Sequence, residues 1–596
     1  MSEKSGKKRK LMKKKINDKK TNDKKINDKK TNDKRTNDKK ADKEIKRNVA
    51  ARIFLLAAPF LCGGFYEWAS CLFLVILTGY LLYLLKQSGT VAVKMNLTGF
   101  SVFVMVISYG VSMLWAVDRG MAVLGFVKFL PLLLFLVIIM QIREGKDELL
   151  DTVPLAGCFM TVLSLGLGQI PLWRDYFWVN KRLAGFFQYP NSFGLFLVAG
   201  VVILAGKDVW NRRQIISIIV LLSGIVLTGS RTSFFILLAV LAGYTVFHKN
   251  SGLRKILLLL MAGLAALTGL YVLLTGNVSN VGRYMTSFTN TSTFLGRLLY
   301  FKDALPVILR HPLGLGYMGY YYLQGSFQTG VYSVLHIHNE LLQVFLDVGW
   351  IPAVLLAVAV VKSFLTKQTG LTRRMLLFAV SVHCMFDFDL QFIAVGFVLL
   401  LAMDTESGDE RRSASKVWIP AAAGILMGVS CWFGIVSGFY RCGEYETAAA
   451  LYPGCTDAWL KMLPRAKDEE EMGRLADNIL ELNQSASLAY SAKARLAYAE
   501  GDFESMIEYK QKAIALARYE PEEYLDYFDM LYVGVQLYEQ AGDKESAEFC
   551  RQKLLEIPEM MEEVLDETDE LAYKIKDKPD LVLPEEYQEM LLFMEL

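Results

Sequence analysis

The chain has 596 residues, 53% of them hydrophobic and only 21% charged, with a mean hydropathy of +0.29. Apolar residues in that proportion, gathered into long runs, exclude a soluble multidomain enzyme. The net charge of +4 conceals a strong asymmetry: residues 1–50 hold 21 Lys and Arg against 8 Asp and Glu, and residues 441–596 hold 16 against 36.

From Lys13 to Lys40 the sequence cycles through Lys-Lys, Ile or Thr, and Asn-Asp. It has almost nothing to bury, so residues 1–49 are expected to form a disordered basic tail. Nucleic acid or anionic headgroups would attract such a charge. A positive block ahead of the first span also holds an N-terminus in the cytoplasm, and that reading assigns no nucleic-acid partner. The block is too long for the n-region of a cleavable signal peptide, and no small-residue cleavage site follows.

A bilayer core of about 30 Å takes roughly 20 apolar residues as helix. Spans are expected near 50–66, 68–85, 97–116, 120–140, 152–171, 186–205, 214–229, 232–247, 256–275, 339–361, 375–386, 390–404 and 417–438, twelve or thirteen in all. Lys and Arg concentrate in alternate loops, for example Lys207, Arg212 and Arg213, or Lys362, Lys367, Arg373 and Arg374. Loop charge and hydropathy therefore agree on a cytoplasmic N-terminus, a polytopic domain over 50–440, and a C-terminal region outside.

Cations on the outer side need a reason, since an Arg near hydrocarbon costs roughly 2.5–3.5 kcal/mol on insertion scales. Arg182 leads into a span within Lys-Arg-Leu-Ala-Gly-Phe-Phe-Gln-Tyr-Pro-Asn, and Arg231 sits in the hinge Thr-Gly-Ser-Arg-Thr-Ser. A guanidinium forks onto phosphate oxygens and stays charged at any relevant pH, so both suit a lipid-linked diphosphate. Snorkelling to headgroups, or pairing with an acid such as Asp175, would also account for them.

Residues 276–338 form the one large outside loop between spans. Its second half is rich in aromatics, including Tyr317, Tyr320, Tyr321, Tyr322 and Tyr332. Such rings and hydroxyls suit sugars, and Tyr is also an ordinary membrane-interface residue. Four of the five histidines, His311, His336, His338 and His383, fall at or near the outside. His338 and Asn339 open a helix facing outward, where a neutral imidazole can take a proton from a hydroxyl; a His-Asn pair can also be only a helix cap.

After the last span, residues 441–596 read as an acidic helical-repeat region. Leu496-Ala-Tyr-Ala-Glu-Gly-Asp-Phe and Leu537-Tyr-Glu-Gln-Ala-Gly-Asp are one element repeated, in which a helix ends at Gly and another follows. This resembles tetratricopeptide-type helix pairs with a loose period, which bind protein segments; a lid or spacer over the membrane site is the alternative. The eight cysteines show no Cys-x-x-Cys and no Cys/His metal spacing, although Cys442 and Cys455 are placed to pair.

Several of these segments together resemble the O-antigen ligase and O-antigen polymerase superfamily of bacterial membrane glycosyltransferases. The stretches that carry the resemblance run from Arg182 to Asn191, through Ser230-Arg231, Gly296-Arg297 and His311-Pro-Leu-Gly-Leu-Gly. They continue through His336-Ile-His338-Asn339-Glu and Asp347-Val-Gly to His383-Cys-Met-Phe-Asp-Phe-Asp. They cover roughly residues 50–405, and Asp347 stands where a Glu is common in the family. The resemblance implies an all-α, polytopic, GT-C-like membrane fold followed by the extracytoplasmic helical repeats. It implies an inverting, metal-independent enzyme of the cytoplasmic membrane, without cofactor. Such an enzyme moves a glycan from an undecaprenyl-diphosphate carrier to a hydroxyl of a glycan, lipid or protein acceptor. It assigns His338 as base and Arg182, Arg231 and Arg297 to the diphosphate, with His336, Asn339, Tyr321 and Tyr322 in support on the acceptor side.

Two other classes fit a many-span chain. A transporter or flippase for lipid-linked glycans would place ionisable groups in mid-span around a cavity. A non-enzymatic scaffold would recruit partners through the C-terminal repeats. The candidate groups gather at the outer face, which favours surface chemistry; polymerase and ligase share every motif named.

Overall fold

The computed structural model describes residues 48–142, 145–247, 292–413 and 418–595, with isolated positions between 252 and 266. The tail up to residue 47, most of the expected span 256–275 and the start of the outside loop lie outside the described residues. The protein is an all-α, polytopic membrane protein.

Five helices are long and apolar enough to cross a bilayer: Glu67–Ser88, Leu97–Leu114, Arg119–Gln141, Lys146–Leu167 and Trp418–Arg441. Shorter apolar helices, among them Asn48–Phe60, Pro190–Ala205, Arg231–Phe247, Trp350–Leu365 and Ile393–Ala402, pack among them. Their ends follow local chemistry. Asn96 and Asp118 cap the helices that follow them, accepting from Gly99 N and Met121 N, and Asn211 forms a capping box with Gln214.

Helix Pro190–Ala205 lies at the centre. It is apolar on every side, and every residue is buried except Asn191, the pattern of a helix surrounded by others. Helix Trp418–Arg441 is the opposite case: only 11% of its apolar window is buried, with Ile425, Trp432 and Ile435 facing out. It leans on Glu67–Ser88, where Gly434 lets the two backbones close over Cys71.

The expected span at 339–361 is not one helix. It divides into Glu340–Val348 and Trp350–Leu365 at Gly349, whose φ of 87° and ψ of −170° are open only to glycine. The break is held by the segment 312–316. Trp350 N donates to Pro312 O at 2.9 Å, Leu315 N to Leu346 O at 2.6 Å and Gly316 N to Asp347 O at 2.9 Å. The Asp347 side chain, wholly buried, accepts from Tyr109 Oη and Gln343 Nε2, both at 2.8 Å. It braces the break against the helix Leu97–Val111.

The loop expected outside holds helices Ser292–Arg310 and Gly319–Phe327. Beyond the membrane part, helices Glu469–Leu482, Ser487–Glu500, Phe503–Leu516, Pro521–Ala541 and Lys544–Leu555 form successive antiparallel neighbours. Gly501 and Gly542, both at φ 76°, end their helices left-handed, and Asp502 and Asp543 cap the next. The expected Cys442–Cys455 pairing does not form: Cys442 is exposed, Cys455 is buried, and both are free thiols.

Candidate active site

Arg182 is presented by a hairpin in which Trp178–Val179 pairs with Arg182–Leu183 across a two-residue turn. Asn180 and Lys181 carry φ of 50° and 61°, as a tight hairpin of matching twist requires. The guanidinium is then fixed. Nε donates to Thr228 O at 2.7 Å and Nη2 to Asn191 Oδ1 at 2.5 Å. Two of its partners are thus a backbone carbonyl and a side-chain amide. The first bond also ties the strand that carries Arg182 to the end of helix Arg212–Thr228, three residues before Arg231 opens the helix Arg231–Phe247.

Asn191 turns its amide nitrogen to Asp387 Oδ2 at 2.7 Å. This carboxylate, 1% exposed, is the hub of the site. Tyr189 Oη donates to its Oδ1 at 2.8 Å and Phe388 N to the same oxygen at 3.1 Å. Arg297 Nη2 reaches Oδ2 at 3.3 Å, and His338 Nδ1 lies 3.1 Å from Oδ1. Burial alone would raise the Asp387 carboxyl, but hydrogen bonding and attraction from His338, with the Arg297 charge, outweigh it and hold it well below the ordinary carboxylate range.

His338 and Arg297 keep 21% and 15% of their side chains accessible, so the hub is closed while its two functional neighbours are reachable. His338 has φ 57°, a left-handed turn that an ordinary residue seldom adopts. The next residue, Asn339, starts the helix. Its Oδ1 accepts from Leu342 N, and its amide donates to Met385 O at 3.1 Å. Asn339 is therefore a cap that pins the 338–340 corner to the segment bearing Asp387.

The remaining expected residues stand elsewhere. His336 is 3% exposed, between the rings of Phe65 and Phe388. Tyr321 and Tyr322 lie on Gly319–Phe327, where Tyr322 donates to Asp457 at 2.5 Å. These three line a separate cleft. Among the described residues no group of three or more His, Cys, Asp or Glu is arranged to hold a metal ion.

Sequence reasoning missed Asp387 as a site residue, and with it Asn191 and Tyr189. It also missed a buried relay behind them: Ser233 Oγ lies 3.0 Å from His383 Nε2, and His383 Nδ1 lies 2.6 Å from Asp389 Oδ2. All three are fully buried and Ser192 also donates to Asp389 at 2.7 Å, so the relay ties helices together under the site. The alternation His383-x-x-x-Asp387-x-Asp389 was the available signal.

Residues 216–357 match the family model described as O-antigen ligase. This match supports the resemblance to the O-antigen ligase and polymerase superfamily. No curated protein matches the chain. The O-antigen ligase match contains Arg231, Arg297 and His338, while Arg182, Asn191 and Asp387 lie outside its limits. The hydrogen bonds around Asp387 join Arg297 and His338 to Asn191 and, through it, to Arg182; none of these bonds involves Arg231.

Proposed function

We propose that this protein is a glycosyltransferase of the cytoplasmic membrane, acting at the outer face. It transfers a glycan from an undecaprenyl-diphosphate carrier to the hydroxyl of a glycan, lipid or protein acceptor, as a polymerase or ligase of surface polysaccharide. The reading places the N-terminus in the cytoplasm and residues 441–596 outside. The observation that supports it is the convergence on Asp387 of His338 and Arg297 directly, and of Arg182 through Asn191.

An ionised carboxylate can only accept, so His338 turns its Nδ1–H to Asp387 and leaves the Nε2 lone pair for substrate. The acceptor hydroxyl gives its proton to Nε2 as its oxygen bonds to the anomeric carbon. The bond from that carbon to the phosphate oxygen breaks, and undecaprenyl diphosphate leaves with the electron pair. Arg182, Arg231 and Arg297 are assigned to the growing charge on the diphosphate. Attack opposite the leaving group inverts the anomeric centre, with no metal and no cofactor in the scheme.

The test is a deletion strain scored for accumulated undecaprenyl-linked units and lost surface glycan. Rescue should fail with His338→Ala and be strongly impaired with Arg182→Ala or Arg231→Ala. Normal rescue by all three removes this function from this site.

A further inference from the structure

A cleft of about 840 Å³ opens between the membrane domain and the C-terminal helices, towards the upper end of the roughly 300–1,000 Å³ that takes organic ligands. One side is Glu67, Lys128, Tyr317 and Tyr321; the other is Asp457, Lys461, Arg465 and Tyr519. The C-terminal domain is docked to make this second wall. Asn483 Nδ2 donates to Asp118 at 3.2 Å, Tyr452 Oη to Gly120 O at 3.0 Å and Asp569 N to Thr329 O at 2.9 Å. At Gly120 the backbones meet so closely that a Cβ would stand 1.9 Å from Gly454 O.

Three features say what the cleft is built for. It is lined by tyrosine rings, which offer faces for stacking and hydroxyls for bonding. It presents carboxylates and cations side by side, with Lys128 Nζ donating to Tyr317 Oη at 3.0 Å and that hydroxyl to Glu67 at 2.9 Å. Mixed donors and acceptors suit hydroxyl groups, whereas a phosphate site is cationic throughout. The third feature is His336, a lining residue whose two ring nitrogens have no hydrogen-bond partner. Burial, reinforced by the Lys128 charge, pushes its imidazole well below the ordinary range, so it is neutral, able both to donate and to accept.

The cleft also lies close to the reacting groups. The Phe388 ring lies 5.2 Å from that of His336 and 5.0 Å from that of His338, so a single phenyl separates the lining from the site at Asp387. We propose that this cleft binds the sugar chain of the acceptor glycan, with the C-terminal helical domain as its outer wall, and leads the chain past Phe388 to His338. This rests on the function proposed above.

Binding can be read without turnover. Full-length His338→Ala protein in detergent is titrated by calorimetry with short oligosaccharides released from the host's own surface polysaccharide. Saturable binding is expected, weakened about tenfold or more by adding Tyr321→Ala, His336→Leu or the exposed Lys461→Ala, and not displaced by inorganic diphosphate. In the active chain, Lys461→Ala should raise the KM for acceptor with kcat held. No saccharide binding, binding indifferent to all three substitutions, or displacement by diphosphate overturns the proposal. Because the titration uses a protein lacking the proposed base, it stands or falls separately from the rescue experiment.

Discussion

At the scale of the residue, Asp387 decides the most. Its carboxyl lies below the ordinary range despite burial, so its pairing with His338 and Arg297 stabilises the fold above the ordinary carboxylate pKa of ~3.9 and is lost only as pH falls through the depressed value. Glycan transfer by purified enzyme should therefore show no acid limb from Asp387 between about pH 5 and 8. Asp387→Asn should lower the rate by about 100-fold or more, because the amide no longer fixes the imidazole tautomer. Arg182→Lys makes a second case. A lysine keeps the charge but cannot hold Thr228 O and Asn191 Oδ1 together as the fork does, so the KM for the lipid-linked donor should rise about tenfold with protein yield unchanged.

At the scale of the element, the strained turns place the chemistry. Gly349→Ala puts a Cβ 2.3 Å from Pro312 O in backbone that only glycine adopts, a strain of about 1–3 kcal/mol. Thermal unfolding in detergent should fall by a few degrees, and an unchanged midpoint would show that the break at 349 is relaxed. The helices themselves were largely legible from hydropathy, since eleven of the thirteen expected spans coincide with single described helices. The break at Gly349 was not legible, because Asp347-Val-Gly-Trp reads as ordinary apolar helix until 312–316 is known to dock there. Nor was Asp387. Its meaning comes from donors at 189, 191, 297, 338 and 388, which sequence spacing does not bring together. Arg182 could be found because it puts a charge where the expected membrane rim penalises one, whereas His338 was found as an outward helix start and Arg297 only through the family resemblance.

For the whole molecule, the interface between membrane part and C-terminal domain carries its own titration. Asp118 is raised to about 6, by burial first and then by neighbouring Asp457, against hydrogen bonds from Met121 N and Asn483. A carboxyl raised on folding favours the docked state while protonated, so this contribution should be full at low pH and decline as pH climbs from about 4 to 6. Amide protection around residues 483–487, after correction for the intrinsic exchange rate, should fall over that window, and Asp118→Asn should abolish the fall. The helix Trp418–Arg441 adds a further consequence. It offers most of its length to lipid, and its last turn, with Ser437 and Arg441, enters the cleft wall. Hydrocarbon thickness should therefore act as a mechanical setting: a rod that tilts to match a thinner or thicker bilayer is expected to shift the jaw it carries, so the KM for acceptor should differ between short-chain and long-chain lipids.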